Sequence, residues 1–298
     1  MGAVLAVLGV DEPVSYEPPS KKILCNIYGV QISLAHITTL LISVIVLTLT
    51  ILLEYGTIPA VQQGFYCGDP QYSHKYKGET VTPEILGVTA VLVPLFIIIS
   101  TELLAYQSFR KINPYTVVFY MQECIVGVAL VLLLTSITKV IVGEHRPHFF
   151  DTCQPDTAVN CTAGQFVETF TCTSEYSQIF KVDSSLSFFS GHSSISWFIA
   201  IYLCYIIHVR TVTVNAGYII KPFLISLVLT WSLLCSLSRI TDRRHHWWDV
   251  LTGSLFGICS ALYFAVVVYE KMKKNDPLVR SYKLTEEIPL SIHHRSAL

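Results

Sequence analysis

The sequence predicts an all-α integral membrane protein, built as a bundle of six transmembrane helices. Of its 298 residues, 52% are hydrophobic and only 14% are charged, whereas soluble domains carry about 25% charged residues. The apolar residues are concentrated in blocks that are long enough to cross a bilayer as a helix, which takes roughly 20 residues. This composition and this grouping are typical of helical membrane proteins.

The six apolar blocks predict spans at 31–53, 85–107, 115–142, 193–209, 220–238 and 250–270. The fourth block is short, so we expect its first turn at the membrane interface. A six-span domain then covers 25–272, between tails at 1–24 and 273–298. The apolar start of the chain lacks the basic residues of a signal peptide, so we expect a plain tail there.

The basic residues predict the orientation of the bundle, because short cytoplasmic loops are enriched in Lys and Arg. If both termini are cytoplasmic, one face collects Lys21, Lys22, Arg110, Lys111, Arg210, Lys221, Lys271, Lys273, Lys274 and Arg280. The loops 54–84, 143–192 and 239–249 then lie on the extracellular or luminal face. We therefore predict cytoplasmic termini and three outer loops.

The outer loops carry features of a chain exposed to an oxidising compartment. Asn160 begins the only glycosylation sequon, Asn-Cys-Thr. Disulfides are permitted on this face, and its four cysteines are Cys67, Cys153, Cys161 and Cys172. Four cysteines allow three pairings, among which the sequence does not choose. The cysteines within the spans are interpreted as small buried hydrophobic residues.

Basic residues on the predicted outer face do not follow the charge rule and are therefore informative. Lys139 lies near the outer end of span three, and Arg146 follows seven residues later. Seven residues are about two helical turns, so both side chains can point the same way. Pro147 disfavours helix at Arg146 and predicts that the helix ends there.

The tripeptide Ser190-Gly191-His192 opens span four. A helix start has unpaired backbone N–H groups and a partial positive charge, so it suits an anion. Ser190 can cap the helix or donate to a ligand oxygen. Gly191 lets a ligand approach the backbone closely.

The third cluster is SRITDRRHHWWDVLTG (238–253), between spans five and six. Arg239 ends span five. His245 and Asp249 are four residues apart, so on a helix leading into span six their side chains face each other. A carboxylate there holds one imidazole nitrogen protonated and leaves the other with a free lone pair. His246, three residues before Asp249, can compete for the same carboxylate.

The topology brings the three clusters to one level of one face, because spans three and five end there and spans four and six begin there. Three cations, two histidines and a helix start form a site suited to a phosphate. The clusters lack the density of Asp, Glu and His of a divalent metal site, so we expect no metal or other cofactor. Arg243 and Arg244 are interpreted as lipid-headgroup contacts outside the catalytic set.

These clusters resemble the signature of the lipid phosphate phosphatases, in the type 2 phosphatidic acid phosphatase superfamily: K-x6-RP, then PSGH, then SR-x5-H-x3-D. The third element selects His245 over His246. In the second element Phe189 replaces the proline. The resemblance covers roughly 25–272 and includes the first outer loop, and its first and third elements match Lys139, Arg146, Pro147, Ser238, Arg239, His245 and Asp249.

The resemblance implies a role for each matching residue. His245 attacks phosphorus to form a phosphohistidine, and Asp249 orients it. His192 protonates the leaving alkoxide and later activates water. Cations replace the metal that most phosphoryl-transfer sites use. The phosphate oxygens are bound by Lys139, Arg146, Arg239, the hydroxyl of Ser190 and the backbone N–H of Gly191.

The implied activity is dephosphorylation of a lipid whose phosphate stands at the outer membrane face. Phosphatidate, lysophosphatidate, ceramide phosphate and sphingosine phosphate all qualify, and the first-loop resemblance favours a lipid over a sugar phosphate.

The expected partners are these substrates and the membrane, with the plasma membrane as the location. A net charge of −1 without a long basic run gives no indication of nucleic acid. The chain is compatible with a homo-oligomer, but its sequence does not determine the oligomeric state or the preferred lipid.

Two other functions share parts of this pattern. A catalytically weak or inactive membrane scaffold or lipid-binding relative would lack several of the charged and imidazole residues, whereas this chain lacks only the motif proline. A transporter or channel would place charged groups at mid-membrane. Glu102 and Glu123 lie nearer the cytoplasmic ends of their spans, where Arg110 and Lys111 can balance them. We therefore expect an enzyme.

Overall fold

The computed structural model describes residues 23–27, 30–54, 56–211 and 217–272. Within these ranges six helices are long and apolar enough to cross a membrane, which confirms the predicted fold class. The predicted tails, 1–24 and 273–298, lie outside the described residues except for 23 and 24. The helices are α1 (Leu34–Glu54), α2 (Pro83–Tyr106), α3 (Pro114–Val142), α4 (Phe149–Cys153), α5 (Gln178–Asp183), α6 (Gly191–Arg210), α7 (Ile220–Thr241) and α8 (Trp247–Met272).

Two short antiparallel strand pairs accompany the helices. Strands β1 (Ile23–Ile27) and β2 (Val30–Ser33) pair immediately before α1. Strands β3 (Phe65–Tyr66) and β4 (Phe166–Val167) join the loop between α1 and α2 to the connection between α3 and α6. The predicted start of the first span at 31 is therefore wrong by three residues, because apolar composition alone does not distinguish a strand from a buried helical turn.

Capping residues determine where the spanning helices begin. Thr82 and Asn113 cap α2 and α3, and each is followed by proline at the first helical position, where the missing N–H has no intrahelical partner in any case. Ser190 caps α6, and its side chain accepts from the N–H of Ser193. These caps extend α2, α3 and α6 one or two residues beyond the apolar blocks.

Helix α3 ends where the apolar block of span three ends, and not at Arg146, where Pro147 predicted its end. The helix ends at Val142, and Gly143 follows with a φ of 65°, a left-handed conformation that suits glycine. A Cβ at this position would lie 1.8 Å from the carbonyl oxygen of Val61, so the backbones approach closely here. Arg146 consequently lies in a loop after the helix, because Gly143 ends the helix before Pro147 can.

Helix α6 lies at the centre of the bundle and packs against α2, α3, α7 and α8. Phe198 and Tyr202 are fully buried on it, and the Tyr202 hydroxyl donates to the carbonyl of Tyr120 at 2.9 Å. On α8, a Cβ at Gly253 would meet the Ser190 carbonyl oxygen at 2.5 Å, and one at Gly257 would meet the carbonyl of Ser194 at 2.2 Å. Small residues therefore let α8 approach the start of α6, as is common between membrane helices.

The connection from α3 to α6 forms a compact layer with the loop between α1 and α2, at one end of the bundle. Its core is a cluster of aromatic rings, in which Phe65 contacts Phe149, Phe150 and Phe170 at centroid distances of 5.2–5.7 Å. Asn160 is exposed on this layer. Of the three pairings that the sequence allows, the structure has Cys67–Cys161 and Cys153–Cys172.

The predicted partners of the two acidic residues in the spans are wrong. Glu102 pairs with Arg210, with Nη2 donating to Oε2 at 2.7 Å, and both side chains are fully buried. Glu123 pairs with Lys271 at 2.7 Å. These partners come from α6 and α8, which pack beside α2 and α3, and buried charges need such partners. Neither acidic residue lines the cavity described below, so their role is structural.

Candidate active site

A cavity of ≈ 770 Å³ opens between α1, α2 and α3 and reaches the start of α6. It receives residues from all three sequence clusters, although they lie up to about a hundred residues apart in the chain. Ser190 and Asp249 are fully buried beside it. The predicted site residues that line the cavity are Lys139, Arg146, Gly191, His192, Arg239 and His245.

The two ring nitrogens of His245 have different partners. Nε2 lies 3.3 Å from Nη1 of Arg146, and Nδ1 lies 3.4 Å from Oδ2 of Asp249. Arginine only donates hydrogen bonds, so Nε2 is the acceptor and the proton sits on Nδ1, towards the carboxylate. Burial lowers the pKa of His245 well below its usual value, and the positive charge of Arg146 adds to this effect. His245 is therefore a neutral imidazole with a lone pair on Nε2.

Asp249 is held by donors from two segments. Its Oδ2 accepts from the hydroxyl of Ser187 at 2.6 Å and from the N–H of His246 at 3.0 Å. The prediction that His245 and Asp249 share a helix is wrong, because α8 begins at Trp247 and His245 precedes it. The contact forms nevertheless, since Asp249 reaches back from the first turn to the residues before the helix, as in a capping box.

The start of α6 presents His192 to the cavity. Its Nε2 is buried and has no hydrogen-bond partner among the described residues, so this nitrogen is available to a ligand. A Cβ at Gly191 would lie 4.0 Å from Nζ of Lys139, so the helix start adjoins this cation. The hydroxyl of Ser190 instead accepts from the N–H and the hydroxyl of Ser193, which makes Ser190 the cap of this helix.

The cations are held in place by carboxylates. Lys139 lies 3.9 Å from Glu54. Arg146 donates through Nε to the carbonyl of Asp183 at 2.7 Å and also pairs with its carboxylate. These partners fix the guanidinium plane before any substrate arrives, and each arginine has five donors, more than one carboxylate can accept.

Arg239 reaches the cavity from the last turn of α7 and is almost fully buried. Its Nη1 donates to Glu79 at 2.8 Å, and its Nη2 donates to the carbonyl of Val81 at 2.7 Å. Asp242 lies 3.3 Å from Nη2. The loop between α1 and α2, through Glu79 and Val81, thus supplies acceptors that orient the arginine of the third cluster.

The interpretation of Arg244 as a lipid-headgroup contact is wrong, because its side chain is buried and lines the cavity. It pairs with Asp183 at 2.7 Å and with Glu79 at 3.2 Å, and it donates to Nε2 of His148 at 3.0 Å. Its guanidinium also lies 5.5 Å from the Tyr76 ring centroid. Arg243 is exposed, as expected of a surface basic residue.

Asp183 links the two loop arginines and was not singled out in the sequence. Burial alone would raise its pKa, but Arg146 and Arg244 outweigh burial and hold the pKa below its usual range. The carboxylate is therefore charged throughout the physiological range. The sequence gives no local signal for this role, since Asp183 only closes a six-residue helix.

Phe189 stands where the resemblance expects proline. Its side chain is buried, and its ring lies 5.1 Å from that of Phe256 on α8. The side chain does not line the cavity. Phe189 therefore contributes packing at the junction of α6 and α8, and its ring supplies neither a donor nor a proton to the site.

We expect Phe189→Pro to change kcat by less than about tenfold, or ~1.4 kcal/mol of barrier, because the substitution alters the entry to α6 without touching a reacting group. Steady-state phosphate release by the purified variant, with its thermal unfolding midpoint measured in parallel, checks this. An increase in kcat of several orders of magnitude would show that phenylalanine at this position severely reduces catalysis.

The fold and the site together define a helical membrane protein with a cationic pocket and two histidines at one end of its bundle. Comparison with known proteins then places the chain: residues 122–273 match the model of the PAP2 superfamily. The chain belongs to this superfamily, which confirms the predicted resemblance, and it is a phosphatase.

Several relatives are similar over most of the chain. Phospholipid phosphatase 1 of Mus musculus is 28% identical over 254 residues, which cover 78% of this chain and 87% of that protein. Phospholipid phosphatase homolog 1.2 homolog of Caenorhabditis elegans is 30% identical, with coverages of 76% and 68%. Phospholipid phosphatase 2 of Bos taurus is 27% identical, with coverages of 72% and 76%. No solved structure matches the chain.

Proposed function

We propose that this protein hydrolyses lipid phosphate monoesters through a phosphohistidine on His245, without a metal ion. The observation that carries this proposal is the single cavity in which His245 and His192 meet four cations. The same cavity continues between α1 and α2 along apolar residues. A phosphate at one end and a lipid chain along the rest would fill it.

The attack step follows from the tautomer of His245. Nε2 attacks phosphorus in line with the ester oxygen, so that a P–N bond forms while the bond to the lipid oxygen breaks. Asp249 accepts from Nδ1–H and stabilises the charge that develops on the ring. His192 gives its proton to the leaving alkoxide, and the bound phosphate favours the imidazolium that this step requires.

The second step regenerates the enzyme. His192, now neutral, accepts a proton from a water molecule that attacks the phosphohistidine. The P–N bond breaks, its electron pair returns to Nε2 of His245, and inorganic phosphate leaves. The charge on the phosphate oxygens is stabilised throughout by donors that are already oriented, from Lys139, Arg146, Arg239, Arg244 and the N–H of Gly191.

The apolar part of the cavity supports a lipid substrate. It runs from the cationic end between α1, α2 and α3, towards Leu40 on α1, fourteen residues from Glu54. Fourteen helical residues span about 21 Å, which is long enough to hold part of a long acyl chain. Its lining consists mainly of small and aliphatic side chains, among them Val44, Leu47, Leu86, Ala90 and Leu132.

We expect Gly87→Phe to lower kcat/KM for long-chain lipid phosphates about tenfold, while release from a short soluble phosphate ester changes less than about twofold. Gly87 lines the cavity and a Cβ there meets no atom within 4 Å, so an added ring occupies the space of the lipid chain. Val88→Phe is the matched control, because Val88 is exposed and does not line the cavity. An equal loss with both esters, or with both variants, would contradict a chain-binding groove.

The outer location of the site is part of the proposal. The disulfide-bonded layer and Asn160 lie in the loops that also supply Glu79, Arg146 and Asp183 to the cavity. Disulfides form in oxidising compartments, which supports a site on the extracellular or luminal face, with the plasma membrane as the location.

The proposed function is tested by assaying membranes that carry the protein for phosphate released from lysophosphatidate in excess chelator. Release by the wild type and none by His245→Gln is the expected result. Equal release by both, or no release by the wild type from a panel of lipid phosphates, would reject the proposal. Loss of release in chelator alone would reject its metal-free part.

A further inference from the structure

The carboxyl groups of Glu144, which is half-buried, and Asp249, which is fully buried, interact directly behind the candidate nucleophile. Glu144 follows α3 in the loop before Arg146, and Trp248 on α8 donates to its Oε1 at 2.8 Å. The other oxygen, Oε2, is buried and has no hydrogen-bond partner among the described residues. The side chain is therefore held at one oxygen and unsatisfied at the other.

Asp249 shows the same asymmetry. Its Oδ2 accepts from Ser187 and from the N–H of His246, and it faces His245. Its Oδ1 is buried and, like Oε2 of Glu144, has no partner among the residues that the structure describes. Ser187 adjoins both groups, since its N–H donates to the carbonyl of Glu144 at 2.9 Å and its hydroxyl donates to Asp249.

A single proton between these two oxygens satisfies both. Two carboxylates that share a buried site do not both ionise, because like charges in a poorly solvated environment repel strongly. Three donor groups face Asp249 and stabilise its ionised form, whereas Glu144 accepts a hydrogen bond from only one. The proton therefore belongs to Glu144, whose Oε2–H donates to Oδ1 of Asp249.

We propose that Glu144 is a protonated positioning residue, which donates a hydrogen bond to Asp249 and so fixes the carboxylate that orients His245. The role rests on the proposed function, in which His245 is the nucleophile. Glu144 acts through Asp249 and does not line the cavity. It therefore affects the chemical step and leaves substrate binding largely unchanged.

The surroundings of Glu144 support this proton. Asp249 and Trp248 face it from α8, His245 and His246 lie in the segment before α8, and Tyr72 and Asp69 come from the first outer loop. Burial raises the pKa of Glu144 to about 8, and the charge of Asp249 adds to the effect. Burial also raises the pKa of Tyr72, so the nearby phenol stays neutral as well.

The sign of the pH dependence follows from this pKa. Glu144 is protonated below about pH 8 and loses its proton as the pH rises through that value. Above it, the hydrogen bond to Asp249 is lost and a second negative charge is added beside the carboxylate. We therefore expect the activity of the wild type to fall as the pH rises through about 8. A donor at position 144 that does not ionise should abolish this fall.

Two substitutions distinguish the hydrogen-bond donor at position 144 from the volume of its side chain. In Glu144→Gln the amide N–H₂ replaces Oε2–H and the amide oxygen still accepts from Trp248. We expect this variant to keep at least about half of the wild-type kcat at neutral pH and to lack the alkaline loss centred near pH 8. Glu144→Leu keeps the volume without a donor, and we expect kcat to fall about tenfold with KM unchanged.

The experiment combines pH–rate profiles on lysophosphatidate with infrared difference spectra of the purified proteins. A carboxylic acid C=O band present in the wild type and absent in Glu144→Gln at neutral pH supports the proposal. Absence of that band, an equal loss in the Gln and Leu variants, or an unshifted alkaline limb in Glu144→Gln overturns it. If the band is present but the wild type releases no phosphate, the proposed function fails while the proton on Glu144 stands.

Discussion

Replacing His245 with glutamine is expected to lower kcat for lipid phosphate hydrolysis by at least about 10⁴-fold, which corresponds to about 5.4 kcal/mol of barrier. His245 is the group whose Nε2 lone pair faces the cations of the cavity. Glutamine offers an amide of similar reach but no nucleophilic nitrogen, so no covalent intermediate can form. The measurement is single-turnover phosphate release from lysophosphatidate by wild type and variant at equal protein.

His246→Gln is the matched control for this prediction. His246 neighbours His245, but its ring stacks on Trp248 and its Nε2 lies 3.1 Å from the carbonyl of His145. Glutamine can retain that hydrogen bond, and we expect kcat to fall by less than about tenfold. If the two variants lost activity equally, or if His245→Gln kept more than a hundredth of it, His245 would not be the nucleophile.

Arg244→Gln is expected to lower kcat/KM by about 10²- to 10³-fold, the usual effect of removing one oriented donor from a transition-state site. The side chain is buried in the cavity and shares Asp183 with Arg146. Its loss removes one phosphate contact. It also leaves Asp183 paired with one arginine, which adds unbalanced negative charge beside the substrate phosphate.

Arg243→Gln separates this role from lipid-headgroup binding. Arg243 is the adjacent residue, carries the same charge and is exposed, so we expect its kcat/KM to change by less than about twofold. Kinetics in mixed micelles are compared with binding of each variant to anionic vesicles. Equal losses of activity in both variants, accompanied by weaker vesicle binding, would indicate that both arginines bind lipid headgroups. That result would contradict the assigned role of Arg244.

Much of the fold was predictable because membrane helices are specified locally. A bilayer requires about 20 consecutive apolar residues whose backbone groups bond within the segment, and composition alone reveals such blocks. Helix ends are specified by single residues, which is why Gly143 ends α3 at the end of its apolar block, four residues before Pro147. The strand β2 was missed because its four residues, Val-Gln-Ile-Ser, alternate apolar and polar side chains over too short a stretch to separate it from the start of the apolar block that follows.

The site was predictable in part, for a different reason. Lys139, His192 and Arg239 lie near helix ends on one side of the bundle, and His245 lies just before the start of α8 on the same side, so the topology alone brings them to one level. Residues that act through long-range contacts gave no such signal. Asp183 and Glu79 orient the arginines from loops whose path follows from the disulfides and the aromatic cluster, and Arg244 looked like an ordinary surface cation beside Arg243.

The central claim is that separate stretches of the chain form one pocket for a tetrahedral phosphorus, with a histidine on either side. The most direct measurement is a structure of the protein with bound vanadate. We predict vanadium bonded to Nε2 of His245, its equatorial oxygens contacting Arg146, Arg239 and Arg244, and His192 beside the opposite apical oxygen. Vanadate bound elsewhere, or bound with either imidazole out of contact, would contradict the account.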